Sequence, residues 1–172
     1  MAQGIRECIV QSPRRVLLVE DHDFVRLSLR RYLEKHDDLC VCGEASSSSV
    51  ALKLIENTKP NVILLDLSLG KDDGFSLLKA IRSRYREIPV LVLSMHNETI
   101  FGVDAIRHGA KGYVMKCNIS EDLYQAIDTV ISGEFYLSEF LRKKLTELPQ
   151  DERAGVISRN SADSAQARQK DR

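Results

Sequence analysis

Glu20, Asp21, Asp66, Ser94 and Lys116 are the residues of this sequence whose types and placing could do chemistry together. Each ends or follows a short apolar run. Val16-Leu17-Leu18-Val19 leads into Glu20-Asp21, Val62-Ile63-Leu64-Leu65 into Asp66, Val90-Leu91-Val92-Leu93 into Ser94, and Gly112-Tyr113-Val114-Met115 into Lys116. A carboxylate at the end of a buried run is costly unless something meets it there. Three carboxylates in one place repel, and a divalent cation relieves the repulsion. Magnesium fits this donor set, because it binds through one or two carboxylates, waters and phosphate oxygens. Between such a cation and an ammonium, Asp66 stays ionised and could act as a nucleophile toward phosphorus. Lys116 and the Ser94 hydroxyl would then meet the oxygens of a transferred phosphoryl group. That reaction asks mainly for positioning and charge stabilisation, so a sparse site is enough.

Taken singly, each residue has a plainer use. Glu20-Asp21 or Asp23 could cap a helix, Ser94 could be a satisfied hydroxyl at a loop start, and Lys116 could be solvated. The combination favours the chemical reading, provided the chain brings these positions together. The elements that must do so are legible. Apolar runs without alternation read as strands buried on both faces of a parallel sheet. Leu39 to Gly43 is a further short strand. Between the strands, helical spacing recurs at Val25, Leu29, Tyr32 and Leu33, then at Val50, Ala51, Leu54 and Ile55 after the serines 46–49. It recurs again at Phe75, Leu78 and Ile81, at Ile100, Val103 and Ile106 up to Gly109, and at Leu123, Ile127, Val130 and Ile131 up to Gly133. Ser120 is the expected N-cap of this last helix. Five strand–helix pairs make a doubly wound parallel α/β sheet with helices on both faces. In such sheets the strand ends named above share one edge, which is where ligands bind.

Composition narrows the classes. Lys+Arg and Asp+Glu both number 25 in 172 residues, so no global charge bias points to nucleic acid or acidic membranes. No run approaches the ~20 apolar residues of a membrane span, and Arg6 and Glu7 interrupt any signal-peptide core. Cys8, Cys40, Cys42 and Cys117 lack disulfide-scaffold spacing, which suits a reduced cytoplasm, and Cys40 and Cys42 are expected as small core residues. The expected organisation is a leader over 1–13, one domain over 14–133, a linker with a short helix over 134–149 carrying Leu141, Leu145 and Leu148, and a polar, disordered tail over 150–172. That tail holds five Lys/Arg against four Asp/Glu, which is no basic recognition patch.

The segments Val-Leu-Leu-Val-Glu-Asp, Val-Ile-Leu-Leu-Asp-Leu, Val-Leu-Val-Leu-Ser and Gly-Tyr-Val-Met-Lys, in this order and spacing, resemble the receiver domain of two-component response regulators. The resemblance covers residues 14–133 and implies a flavodoxin-like five-stranded sheet of order 2-1-3-4-5 with five helices. It implies Asp66 as phosphoacceptor, supplied by a histidine kinase or phosphotransfer protein. Mg2+ would be held by Asp21 directly, by Glu20 through water, by Asp66 and by the Ser68 carbonyl. Ser94 and Lys116 correspond to the switch hydroxyl and the phosphate-binding lysine. Tyr113 corresponds to an aromatic that turns inward on activation, biasing the face made by the fourth helix, fifth strand and fifth helix. Homodimerisation is common in such families, through the first and fifth helices or through the fourth helix–fifth strand face.

Residues 132–138 resemble the linker of NarL/FixJ-type members. Their helix-turn-helix output domain is not expected in residues 150–172, so this chain alone is not expected to bind DNA; the alternative is a fragment of such a transcriptional regulator. Two positions depart from the family pattern: Leu69-Gly70 stands where Met-Pro is usual, and Cys117 where a proline is frequent. A phosphatase usually has a second acid two residues after the nucleophile, where this chain has Ser68. A flavin module needs a glycine- or hydroxyl-rich loop where it has Glu20-Asp21-His22-Asp23. No enzyme activity is therefore expected beyond self-catalysed phosphotransfer and autodephosphorylation.

Overall fold

A computed structural model describes residues 13–150. The expected leader and tail thus lie outside the described residues, apart from Pro13 and Gln150. The elements in order are β1 (Arg14–Val19), α1 (Asp23–Leu33), β2 (Leu39–Ala45), α2 (Ser48–Thr58), β3 (Val62–Asp66), α3 (Gly74–Arg84), β4 (Val90–Ser94), α4 (Glu98–Arg107), β5 (Gly112–Met115), α5 (Ile119–Ile131) and α6 (Glu139–Glu147). A two-residue antiparallel ladder, Ser68–Leu69 against Asp72–Asp73, closes the loop after β3. A single 3₁₀ turn, Lys116–Asn118, joins β5 to α5.

The five long strands pair in the order 2-1-3-4-5, all parallel. Strands β3 and β4 are buried at every position, as continuous apolar runs require in a sheet covered on both sides. Side-chain alternation then splits the core in two. Leu17, Val19, Ile63, Leu65, Val90 and Val92 face α2, α3 and α4, meeting Ala51, Ile55, Leu78, Ile81 and Ile106. Val16, Leu18, Val62, Leu64, Leu91 and Leu93 face α1 and α5, meeting Leu29, Leu33, Leu123, Ile127 and Val130. Truncating a fully buried leucine such as Leu64 to alanine removes contacts on a face with no water to replace them, at a cost of about 3 kcal/mol.

Among the described residues six helices are present: the five that pair with the strands, and the short helix expected over 134–149. This last one, α6, packs against α4: Leu141 is fully buried, and a Cβ on Gly102 would come within 2.7 Å of its Cδ2. Ser138 caps α6 through the Leu141 N–H at 3.1 Å and donates to Glu98 Oε1 at 2.7 Å. The segment leading to α6 also pairs with the start of β5, through the Tyr136 N–H donated to the Lys111 carbonyl at 3.0 Å and an isolated bridge at Gly112.

Several local expectations need correction. Val50 and Ile100 are exposed, because Ala51 and Ile55 on α2, and Ala105 and Ile106 on α4, already fill the space over the sheet. Cys40 is exposed and Cys42 only half-buried, because β2 is an edge strand whose register slips opposite Val16 and Leu17. Neither Asp21 nor Asp23 caps α1; His22 holds the N-cap position. Ser120 lies inside the first turn of α5, which starts at Ile119 from the 3₁₀ turn. The side chains that do cap are Asp73 on α3, Asn97 on α4 and Ser138 on α6.

Candidate phosphoacceptor and cation site

The topology brings the expected residues to one edge. Glu20 and Asp21 follow the last residue of β1, Asp66 ends β3, Ser94 ends β4, and Lys116 opens the turn after β5. Because the sheet is parallel and β1, β3, β4 and β5 are neighbours, these ends lie side by side. Glu20, Asp66 and Ser94 are buried, at 2%, 4% and 0% exposure.

Lys116 ties the site together. Its Nζ donates to Glu20 Oε2 at 2.6 Å and to Asp66 Oδ2 at 2.7 Å. Burial alone would lower the pKa of this ammonium, but hydrogen bonds to Asp66 and Glu20 and their charges outweigh it, so the net shift is upward. The second Asp66 oxygen, Oδ1, accepts the Ser68 N–H at 3.0 Å. Glu20 Oε1 accepts the His22 N–H at 3.1 Å, and Arg26 fixes the Glu20 carbonyl at 2.7 Å. Both buried carboxylates are thus oriented through both oxygens, which removes the rotamer freedom that would blur a reacting geometry.

Asp21 completes an acidic group. One carboxylate oxygen from each of Glu20, Asp21 and Asp66 can lie within 4.8 Å of the other two. Lys116 supplies one positive charge against these three acids, which leaves two negative charges to be balanced. Hard oxygen donors at this spacing, with Asp21 partly open to solvent, fit a small divalent cation that keeps several waters. Magnesium would supply charge neutralisation and an anchor for phosphate oxygens. Ser68 reaches the site through its amide, while its carbonyl is the ligand the sequence resemblance implies.

Ser94 and Tyr113 sit one layer away on the β4–β5 side. Ser94 Oγ accepts the His96 N–H at 3.1 Å, and the Tyr113 hydroxyl donates to the His96 carbonyl at 2.9 Å. Both therefore hold the same short connection between β4 and α4. The Tyr113 ring is inward and 2% exposed. Burial pushes its phenol pKa up, a hydrogen bond with Ser94 pulls it down, and the charges of Glu98 and Asp66 push it up again, with a net upward shift.

One residue of the site escapes sequence reasoning. Gly70 turns the loop after Asp66 with φ +58, against the Asp21 carboxylate. Glycine in a turn-rich loop was a visible signal; its approach to a residue 49 positions earlier in the chain was not.

Comparison with known proteins agrees with this geometry. Residues 16–128 match the family described as response regulator receiver domain. Transcriptional regulatory protein YdfI of Bacillus subtilis (strain 168) is 34% identical over 134 residues, covering 78% of this chain and 62% of the relative. Nitrate/nitrite response regulator protein NarL of Escherichia coli (strain K12) is 34% identical over 131 residues, covering 76% and 61%. The chain thus spans about three fifths of the length of these curated relatives. Among solved structures, a LuxR-family two-component response regulator from Aurantimonas sp. SI85-9A1 is similar with a TM-score of 0.72 at 31% identity, covering 79% of this chain and 97% of that one. The isolated REC domain of RcsB from Salmonella enterica serovar Typhimurium, in the apo form, gives 0.71 at 25% identity, covering 78% and 99%.

Proposed function

The chain belongs to the response regulator receiver domain family, and from that premise we propose that it is a phosphorylation-controlled switch whose acceptor is Asp66. The observation that carries the reading is Lys116 Nζ lying within hydrogen-bond distance of both Glu20 and Asp66, beside the three-carboxylate group. A carboxylate at the end of a buried strand, oriented through both oxygens and faced by a cation, is set up as a nucleophile and not as a fold-stabilising pair.

In the proposed reaction an Asp66 oxygen forms a bond to phosphorus as the bond from phosphorus to the donor breaks. The donor is a phosphohistidine on a histidine kinase or phosphotransfer protein, or a small acyl phosphate, and the leaving group keeps the electron pair. Lys116 compensates charge on the transferred oxygens, and the Ser94 hydroxyl hydrogen-bonds to them. Glu20, Asp21, Asp66 and the Ser68 carbonyl are the proposed Mg2+ ligands, with Glu20 acting through water. Hydrolysis of the aspartyl phosphate returns the carboxylate, so the chain turns over nothing but its own phosphoryl group.

The output is read through Ser94 and Tyr113. Both hold the β4–α4 connection at His96, so capture of the Ser94 hydroxyl by a phosphoryl oxygen competes with its bond to the His96 N–H. That competition biases α4, β5 and α5 between two arrangements. The reading carries the cytoplasm as location. No helix among the described residues is long and apolar enough to cross a membrane.

Intact-mass measurement after incubation with an acyl phosphate tests the proposal. The expected result is one acid-labile phosphoryl adduct that forms with Mg2+ and does not form when EDTA is present from the start. No adduct, or an acid-stable one, contradicts it.

A further inference from the structure

The loop after Asp66 holds the one feature of the site that neither the strand ends nor the resemblance accounts for. Gly70 has φ +58, in the left-handed region where L side chains are strained. A Cβ built there would lie 2.8 Å from Asp21 Oδ2 and 3.8 Å from Asp21 Cγ, and would meet no other atom within 4 Å beyond its chain neighbours. Besides that backbone strain, the steric obstacle to a Cβ at this position is therefore the Asp21 carboxylate, with no other backbone atom and no core residue in its way.

We propose that Gly70 is a positioning residue for the cation site: its missing Cβ is the space in which the Asp21 carboxylate sits beside Glu20 and Asp66. The inference rests on the Mg2+ reading of that acidic group. The Asp21 carboxylate is the far end of a short side chain, so it yields before the loop does. A β-carbon at position 70 thus displaces a metal ligand while leaving the sheet and both cores untouched. This also gives the departure at Leu69-Gly70 a physical role. The position where proline is usual in the family is here the one that admits Asp21.

Two substitutions separate ligand displacement from backbone strain. Gly70→Ala adds the Cβ and the strain. Gly70→Asn adds the same Cβ, but asparagine tolerates the left-handed region better. Mg2+ affinity of the full chain is measured by calorimetric titration for both variants, for wild type and for Asp21→Asn, and thermal unfolding is followed in EDTA. The expected result is a loss of Mg2+ affinity of roughly tenfold or more in both Gly70 variants, with the unfolding midpoint of Gly70→Asn closer to wild type than that of Gly70→Ala. Unchanged affinity in Gly70→Ala overturns the proposal. So does Gly70→Asn regaining affinity together with its midpoint, since strain alone would then be the cause. If wild type takes up no Mg2+, or Asp21→Asn binds it as wild type does, the cation reading itself falls. Binding lost in Asp21→Asn but kept in both Gly70 variants removes the positioning role alone.

Discussion

The two edges of the sheet carry similar sets of charges and differ in what water does to them. At the carboxyl edge Lys116 lies between Glu20 and Asp66, with side chains 7%, 2% and 5% exposed. At the amino edge Arg14 lies between Asp38 and Asp128, with side chains 21%, 49% and 68% exposed. Tyr124 adds a hydroxyl donated to Asp38 at 3.0 Å, and the Arg14 guanidinium lies over its ring. The amino-edge set joins the start of β1, the α1–β2 connection and α5, so it acts as a clasp. Solvent screens it, and its worth is correspondingly small. The carboxyl-edge set joins three strands where water is scarce. There, unpaired charge is costly, and the same cost makes an anion reactive toward an incoming electrophile. A cation between two acids is a fastening at one edge and, in the proposed function, a reaction site at the other, and burial makes the difference.

The largest effect expected from this contrast is at Lys116. Lys116→Met leaves Glu20 and Asp66 buried without a cation and should cost about 3 kcal/mol in metal-free protein, by denaturant unfolding in EDTA. A loss no greater than that of the matching change at Arg14 would erase the distinction. Asp66→Asn should act in the opposite direction. With one negative charge gone from the group and the Glu20–Lys116 pair kept, metal-free stability should rise by about 1 kcal/mol, the usual sign when a functional site is neutralised. Destabilisation of that size would mean Asp66 serves the fold. Arg14→Met should cost at most about 1 kcal/mol, shrinking further at high salt.

The smallest effect is a pH dependence at Asp38. Burial alone would raise the pKa of this carboxyl, but hydrogen bonds from Tyr124 and Arg14 and the charge of Arg14 outweigh it and hold it below 3.8. A lowered folded pKa means stability that is present above the unfolded value and lost as pH falls through the folded one. The gap in unfolding free energy between wild type and Asp38→Asn should therefore be open at neutral pH and close as pH drops below about 3.8. A gap that widens on acidification contradicts the clasp.

The carboxyl edge was legible because its signals are local. Continuous apolar runs announced β1, β3, β4 and β5, and what followed each run named Glu20, Asp21, Asp66, Ser94 and Lys116 as neighbours. The resemblance added the strand order and the positions of Ser68 and Tyr113. What escaped depends on distance in space. Gly70 meets Asp21 across the site, Leu141 finds its place on Gly102, and Arg14 reaches α5, none of which has a period or spacing in the sequence. Caps were read in the wrong places for a related reason. Serines and aspartates abound near the helix starts, and which of them caps depends on where the preceding strand releases the chain. Asp73 and Asn97 were released in reach of free amides, and Ser120 was already inside a turn.

The most direct measurement compares wild type with Asp66→Asn after incubation with an acyl phosphate and Mg2+, followed by intact-mass analysis and acid treatment. The account predicts an acid-labile phosphoryl adduct on wild type and none on the variant, even though the variant folds at least as stably. Equal labelling of the two proteins would place the acceptor elsewhere and contradict the account.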